Sequence, residues 1–302
     1  MKPNRMKNIL AALACAAAIA LSYVYGVYSH MDRLFPYPQL LSVKNHLFPL
    51  SIGFKDTSMK TVVPCGGGAG KTMVVLALGQ SNTGNHGETL YRCRRPVANL
   101  YRGRCYRAED PLLGPTGDRG SAWTRLGDMV IDAGLYDRVV IIPIGVGSTR
   151  VDDWAPGGYL HPRVTAAIGD ARRAGLAITH VFWILGGSEP MTDGDAANRA
   201  HYRKSFLALV KSMRDMGVPA PVYVAVGTRN PGAFNRDIQR AQRELVDPAG
   251  GILAGPDTDA LHAEAENRWE EVHFTHIGLE RHARAWLDAV RGPGAGAAAR
   301  AQ

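Results

Sequence analysis

The chain has 302 residues, 46% of them hydrophobic, and a formal charge of +8 from 35 Lys and Arg against 27 Asp and Glu. That length can bury one substantial core, which leaves room for one catalytic-sized domain plus extensions and argues against a chain of several domains. The arginines are scattered, and no lysine run or aromatic-basic interleaving concentrates them, so nucleic acid is not an expected partner and the surplus reads as a basic, solvated surface.

Lys2, Arg5 and Lys7 precede residues 9–28, which hold no charged side chain. About 20 apolar residues span a hydrocarbon core as a helix, whereas a cleaved signal has an apolar region of about 7 to 15, so the length predicts an uncleaved N-terminal transmembrane anchor over residues 1–30. Basic residues on the short side put that end in the cytoplasm and the rest of the chain outside it, in a periplasm, with Tyr23, Tyr25 and Tyr28 at the far interface. Secretion after cleavage is the alternative. Cys15 lacks the pattern of a lipoprotein cysteine: Ala12 stands three positions earlier and the apolar run continues past it, so it reads as a helix-packing residue.

Residues 31–71 are interrupted by Pro36, Pro38, Pro49 and Pro64 and read as a stalk and lead-in. The run CGGGAGKT over 65–72 departs from a phosphate-cradling Gly-x-x-x-x-Gly-Lys-Ser/Thr loop only in having Cys65 where Gly is needed. Such a loop must open a helix, however, and Lys71 and Thr72 lead into an apolar strand pattern, so nucleotide binding is not expected. From there the pattern alternates. Strands are predicted near 73–79, 139–144, 178–185, 222–226 and 251–254, and helices over 123–133, 162–174, 195–216, 234–246 and 277–290. Alternating runs of this kind define a parallel sheet with crossover helices across residues 72–291. The tail 292–302, Gly- and Ala-rich with nothing large to bury, is expected to be disordered. Among the cysteines, Cys93 and Cys105 would close an arginine-rich loop in an oxidising compartment, leaving Cys65 odd, although Cys65 with either partner stays open. None has metal-site spacing.

The chemistry is expected at strand ends. The run MVVLALGQSN, residues 73–82, reads as a buried strand that ends on Gly79 and delivers Ser81 to the sheet's carboxyl edge, where ligands bind in open α/β sheets. After 139–144 comes GVGSTRVDDW, where Gly145 and Gly147 suit a sharp turn with N–H groups presented to a ligand. After 178–185 comes the glycine-rich GGSEP. Near the C-terminus, WEEVHF places Glu270 three residues before His273, close enough for an acid to orient an imidazole.

This set, in this order, resembles the sialate O-acetylesterase-like branch of the SGNH/GDSL hydrolases. The resemblance implies a flavodoxin-like three-layer α/β/α sandwich with a parallel sheet of about five strands over residues 72–290. It implies Ser81 as nucleophile within Gly79–Asn82, Gln80 and Asn82 as substrate-binding neighbours, Gly147 with Ser81 as backbone oxyanion donors, and His273 as base. Glu270 then takes the place of the family's Asp and holds the imidazole. In WILGGSE, Leu185 stands where the family has Gln and Gly187 where it has Glu, so a side-chain oxyanion donor is expected to be missing, and Leu185→Gln is expected to raise the rate if its amide reaches the oxyanion. The implied activity is removal of O-acetyl groups from a carbohydrate through an acyl-serine, with no metal or organic cofactor. Acyl transfer by the same residues, or a catalytically impaired carbohydrate-binding protein, are the alternatives.

Overall fold

The computed structural model describes residues 3–31, 34–66, 70–191, 194–261 and 264–292. The expected disordered tail therefore lies outside the described residues, apart from Gly292. By its internal contacts the chain divides into Met1–Ser51 and Ile52–Gln302.

In the smaller unit, α1 (Pro3–Met31) contains the 24-residue apolar run Met6–Ser29, with mean hydropathy 2.0, and α2 (Tyr37–Leu47) follows. The Ser29 hydroxyl joins them, donating to the Leu34 carbonyl at 2.7 Å and accepting from the Tyr37 N–H at 3.1 Å.

The larger unit is built on one sheet. Its strands in chain order are β1 (Val62–Val63), β2 (Thr72–Gly79), β3 (Val97–Tyr101), β4 (Arg104–Arg107), β5 (Arg138–Pro143), β6 (His180–Ile184) and β7 (Val222–Val226). Two short strands, β8 (Arg229–Asn230) and β9 (Ala233–Phe234), pair with each other, and β10 (Ile252–Asp257) returns to the main sheet. The order is β1-β4-β3-β5-β2-β6-β7-β10, parallel from β3 to β10 and antiparallel at β4 and β1. Strand β2 is central because it is apolar on both faces: Val74, Leu76 and Leu78 enter one core and Met73, Val75 and Ala77 the other. The first core is closed by α4 (Val151–Trp154), α5 (His161–Arg173), α6 (Ala196–Asp215) and α7 (Arg236–Glu244), and the second by α3 (Ala122–Asp132) and α9 (His276–Arg291). That is the expected three-layer arrangement. Polar side chains start four of the helices, α3, α6, α7 and α9, as N-caps: Ser121, Asp195, Asn235 and Thr275 each accept from a backbone N–H in the first turn.

Three features differ from the sequence reading. The parallel part of the sheet has six strands, and the arginine-rich stretch after Cys93 is a hairpin of β3 and β4 rather than a loop. Its two-residue turn, Arg102 and Gly103, has φ of 51° and 75°, the positive values that suit a tight hairpin. Second, residues 52–66 belong to the larger unit: Phe54 exchanges backbone hydrogen bonds with the 114–115 segment, and β1 pairs with β4. Third, the disulfide joins Cys65 to Cys105, with Cα atoms 5.0 Å apart. The expected Cys93–Cys105 bond is corrected, because Cys93 packs in the core on one face of the sheet and Cys105 in the core on the other. Cys93 is a free buried thiol that donates to the Thr124 carbonyl, and burial pushes its pKa far up, so it stays protonated.

Candidate active site

Strand β2 lies between β5 and β6, and the chain leaves it toward opposite sides, so the carboxyl ends of these three strands border the crevice where such sheets bind ligands. Gly79 ends β2 with φ of 133°, and a Cβ there would collide with the Ile184 carbonyl, so glycine is required. Gln80 follows and Ser81 opens a single 3-10 turn, Ser81–Thr83, closed by Gly84 N–H to the Ser81 carbonyl at 2.7 Å. The Ser81 N–H, first in the turn, has no partner within it.

His273 and Glu270, the expected base and acid, come from a separate hairpin. After α8 (Glu264–Asn267), β11 (Arg268–Trp269) and β12 (His273–Phe274) pair across a three-residue loop in which Glu270 and Glu271 both have positive φ, 49° and 61°. That loop brings the Glu270 carboxylate to His273, whose Nδ1 donates to Oε2 at 3.3 Å. The Glu271 carbonyl accepts from Arg229 Nε at 2.8 Å. Desolvation lowers the His273 pKa below its ordinary value, Glu270 opposes the shift and Arg268 adds to it. The hairpin is tied to the serine turn by Asn82 Nδ2, which donates to the Val272 carbonyl at 3.3 Å. Among the described residues the Ser81 hydroxyl has no hydrogen-bond partner, so the His273–Glu270 bond is formed while a Ser81–His273 bond is not. Loose apo geometry of this kind is common in serine hydrolases before substrate binds.

The loop after β5 carries Gly147. Its turn is made by Ser148, with φ of 59°, while a Cβ at Gly145 would collide with the Thr83 side chain. A Cβ on Gly147 would lie 3.6 Å from both Ser81 Cβ and the His86 ring, which places this glycine against Ser81. Gln80 is 5% exposed and its Oε1 accepts from the N–H groups of Gly186 and Gly187 at 3.3 and 3.2 Å. It binds the loop after β6, and Asn82 binds the hairpin, so the structure uses both side chains to hold loops in place.

Leu185 has no exposed surface and packs in the same core as Trp183 and Tyr202, so its side chain points away from the crevice. The expectation for Leu185→Gln is corrected accordingly. An amide there loses apolar burial and gains no partner, so Leu185→Gln should cost about 3 to 5 kcal/mol in a thermal or denaturant melt and leave the rate no higher. A faster enzyme of unchanged stability would contradict this placement.

Three residues at the site escaped the sequence reading. Glu189 in GGSEP is buried, and its Oε1 accepts from the Val151 N–H at 2.7 Å, pinning the loop after β6 to α4 behind Gly147. Burial raises its pKa to about 7, against that hydrogen bond. His86 stacks on His273 with ring centroids 5.0 Å apart and planes at 23°. Thr116 lies beside it, its Oγ1 3.0 Å from His86 Nε2 and 2.8 Å from the Gly147 N, which donates to it. Among the described residues no group of three or more His, Cys, Asp or Glu side chains is placed to hold a metal.

The fold is a three-layer α/β/α arrangement, and solved structures similar to the chain include esterases. One is a protein from Arabidopsis thaliana, 16% identical, with a TM-score of 0.57 over 72% of this chain and 96% of that one. A carbohydrate acetylesterase from Xanthomonas citri is 11% identical with a TM-score of 0.48, covering 74% of this chain and 57% of its own. A psychrotrophic esterase from a Pseudoalteromonas species is 12% identical with a TM-score of 0.47, over 72% and 96%. No protein-family model matches the chain, and no curated protein matches it.

Proposed function

We propose that the chain is a serine esterase that removes O-acetyl groups from a carbohydrate. The observation that carries this reading is the convergence, at the carboxyl edge of β2 and β5, of Ser81, the His273–Glu270 pair and Gly147. In the proposed reaction Ser81 Oγ attacks the acetyl carbonyl as its proton passes to His273 Nε2, and the oxyanion meets the Ser81 backbone N–H, while the Gly147 N–H, expected as a second donor, is spent on Thr116 Oγ1 at 2.8 Å. Collapse of the tetrahedral intermediate breaks the bond to the sugar oxygen, which takes the proton from His273 and leaves as a hydroxyl. Water, activated by the same imidazole, then attacks the acetyl-serine and releases acetate. The residues present suffice for each proton transfer without a cofactor. The carbohydrate as substrate class rests on the motif order of the sialate O-acetylesterase-like branch.

The test is turnover of an aryl acetate by the full chain in detergent, with a fluorophosphonate probe mapped by peptide mass. Acetate release and labelling at Ser81 are expected; neither turnover nor label, together with binding of acetylated glycans, would point to the carbohydrate-binding alternative. Acetylation of an added sugar in place of acetate release would favour the transferase. We also infer that α1 anchors the chain in a membrane with the larger unit on the extracytoplasmic side, supported by its 24-residue apolar run and the basic residues before it. Release of the protein from membranes by an alkaline wash, or a mature form starting beyond Tyr28, would contradict the anchor.

A further inference from the structure

Resting on the esterase reading, we propose that Thr116 is a catalytic residue whose hydroxyl hydrogen bonds to the oxyanion, and that His86 is the positioning residue that turns it there. The argument is one of hydrogen-bonding capacity. A threonine hydroxyl has one donor hydrogen and two acceptor lone pairs. The Gly147 N–H fills one lone pair at 2.8 Å. His86 Nε2, at 3.0 Å, fills the other when the ring carries its proton on that nitrogen. Both acceptor positions are then taken, which leaves the O–H to be donated to a third partner beside Gly147, where Ser81 Cβ also lies. Two donors feeding one hydroxyl oxygen also polarise it, which strengthens the bond it makes.

Position supports the same assignment. The 114–117 segment is threaded between the serine turn and the loop after β5, with Thr116 N–H donating to the Gly145 carbonyl at 2.9 Å and the Thr116 carbonyl accepting from Asn85 N–H at 2.8 Å. Ser81 Cβ and the His86 ring meet at the same face of Gly147. His86 is itself fixed twice, by its stack on His273 and by Trp269 Nε1, which donates to its carbonyl at 3.2 Å. Its ring is kept neutral: burial and the neighbouring His273 lower its pKa to about 4, with Asp118 opposing, so it has a single proton to place. Thr116 thereby supplies the side-chain donor that Leu185, buried in the core, does not.

The test is steady-state kinetics on an aryl acetate with variants whose melting temperature matches wild type. Thr116→Val keeps the shape and deletes the donor; kcat should fall about a hundredfold with KM little changed, because the oxyanion exists only in the transition state. Thr116→Ser should restore activity to within about fivefold of wild type, since it returns the hydroxyl. His86→Phe keeps a flat ring against His273 but removes Nε2–H, and kcat should fall about tenfold as the hydroxyl loses its orientation. Equal losses in Thr116→Val and Thr116→Ser would make the residue structural and overturn the assignment. So would a kcat for Thr116→Val within threefold of wild type, or above it, with Ser81→Ala inactive; the esterase reading would survive. A wild-type chain without turnover or labelling defeats both readings.

Discussion

Ser81→Ala and His273→Ala should each lower kcat on an aryl acetate by a factor on the order of ten thousand or more, and the double variant should be scarcely worse than either. Groups that act as one unit are non-additive, since the nucleophile without its base and the base without its nucleophile fail at the same step. Glu270→Gln should lose less, because it leaves the base in place and removes only its orienting charge; Glu271→Gln should be near wild type, its carbonyl and not its carboxylate being engaged. The pH profile carries a sign. His273 must be neutral to take the Ser81 proton, and its pKa lies below the ordinary histidine value, with desolvation the main cause. Activity should therefore rise with pH through a midpoint below about 6.5. Removing the Glu270 charge, which raises that pKa, should move the midpoint lower still. A full-rate Ser81→Ala enzyme would sink the mechanism.

The second large effect is on stability. Cys65 and Cys105 are separated by 40 positions, and closing a loop of that length in the unfolded chain is worth about 4 kcal/mol on the chain-entropy account. Cys65→Ala or Cys105→Ala should accordingly lower the melting temperature by on the order of 10 °C, whereas Cys93→Ala should cost only what a small core cavity costs, about 1 kcal/mol. Non-reducing peptide mapping of natively exported protein should recover the 65–105 pair. A 93–105 peptide would refute the pairing.

What was legible in the sequence follows the strength of each local signal. Strands β2, β5, β6 and β7 are continuous apolar runs because both faces are covered, and the helices over 122–132, 161–173, 196–215 and 276–291 carry their apolar periods openly, all but the second with a polar cap. The hairpin of β3 and β4 was hidden because its turn is Arg102-Gly103, where Asn-Gly or Asp-Gly would announce a reversal, and because arginines crowd its ends. The disulfide pairing depended on which face of that unseen hairpin each cysteine takes. At the site, Ser81, Glu270 and His273 are visible since each sits in a short run with a meaning of its own. Thr116 and His86 are not: nothing links positions 86, 116 and 147 along the chain, and they meet only once β2 and β5 are adjacent and the 114–117 segment passes between their loops. Leu185 shows the converse limit, a position aligned with a functional residue whose side chain nonetheless turns into the core.

The hairpin that carries Glu270 and His273 stands outside the main sheet, as a two-stranded piece of its own. Acid and base therefore travel together, and any movement of the hairpin leaves their mutual distance untouched while changing the reach of the imidazole to Ser81. The hairpin is tied to the serine side by the Asn82 amide on the Val272 carbonyl at 3.3 Å, by Trp269 Nε1 on the His86 carbonyl at 3.2 Å and by the Glu88 N–H on the Phe274 carbonyl at 2.9 Å. What is left for substrate binding to complete is one hydrogen bond, from Ser81 to His273, since the bond from His273 to Glu270 is already made.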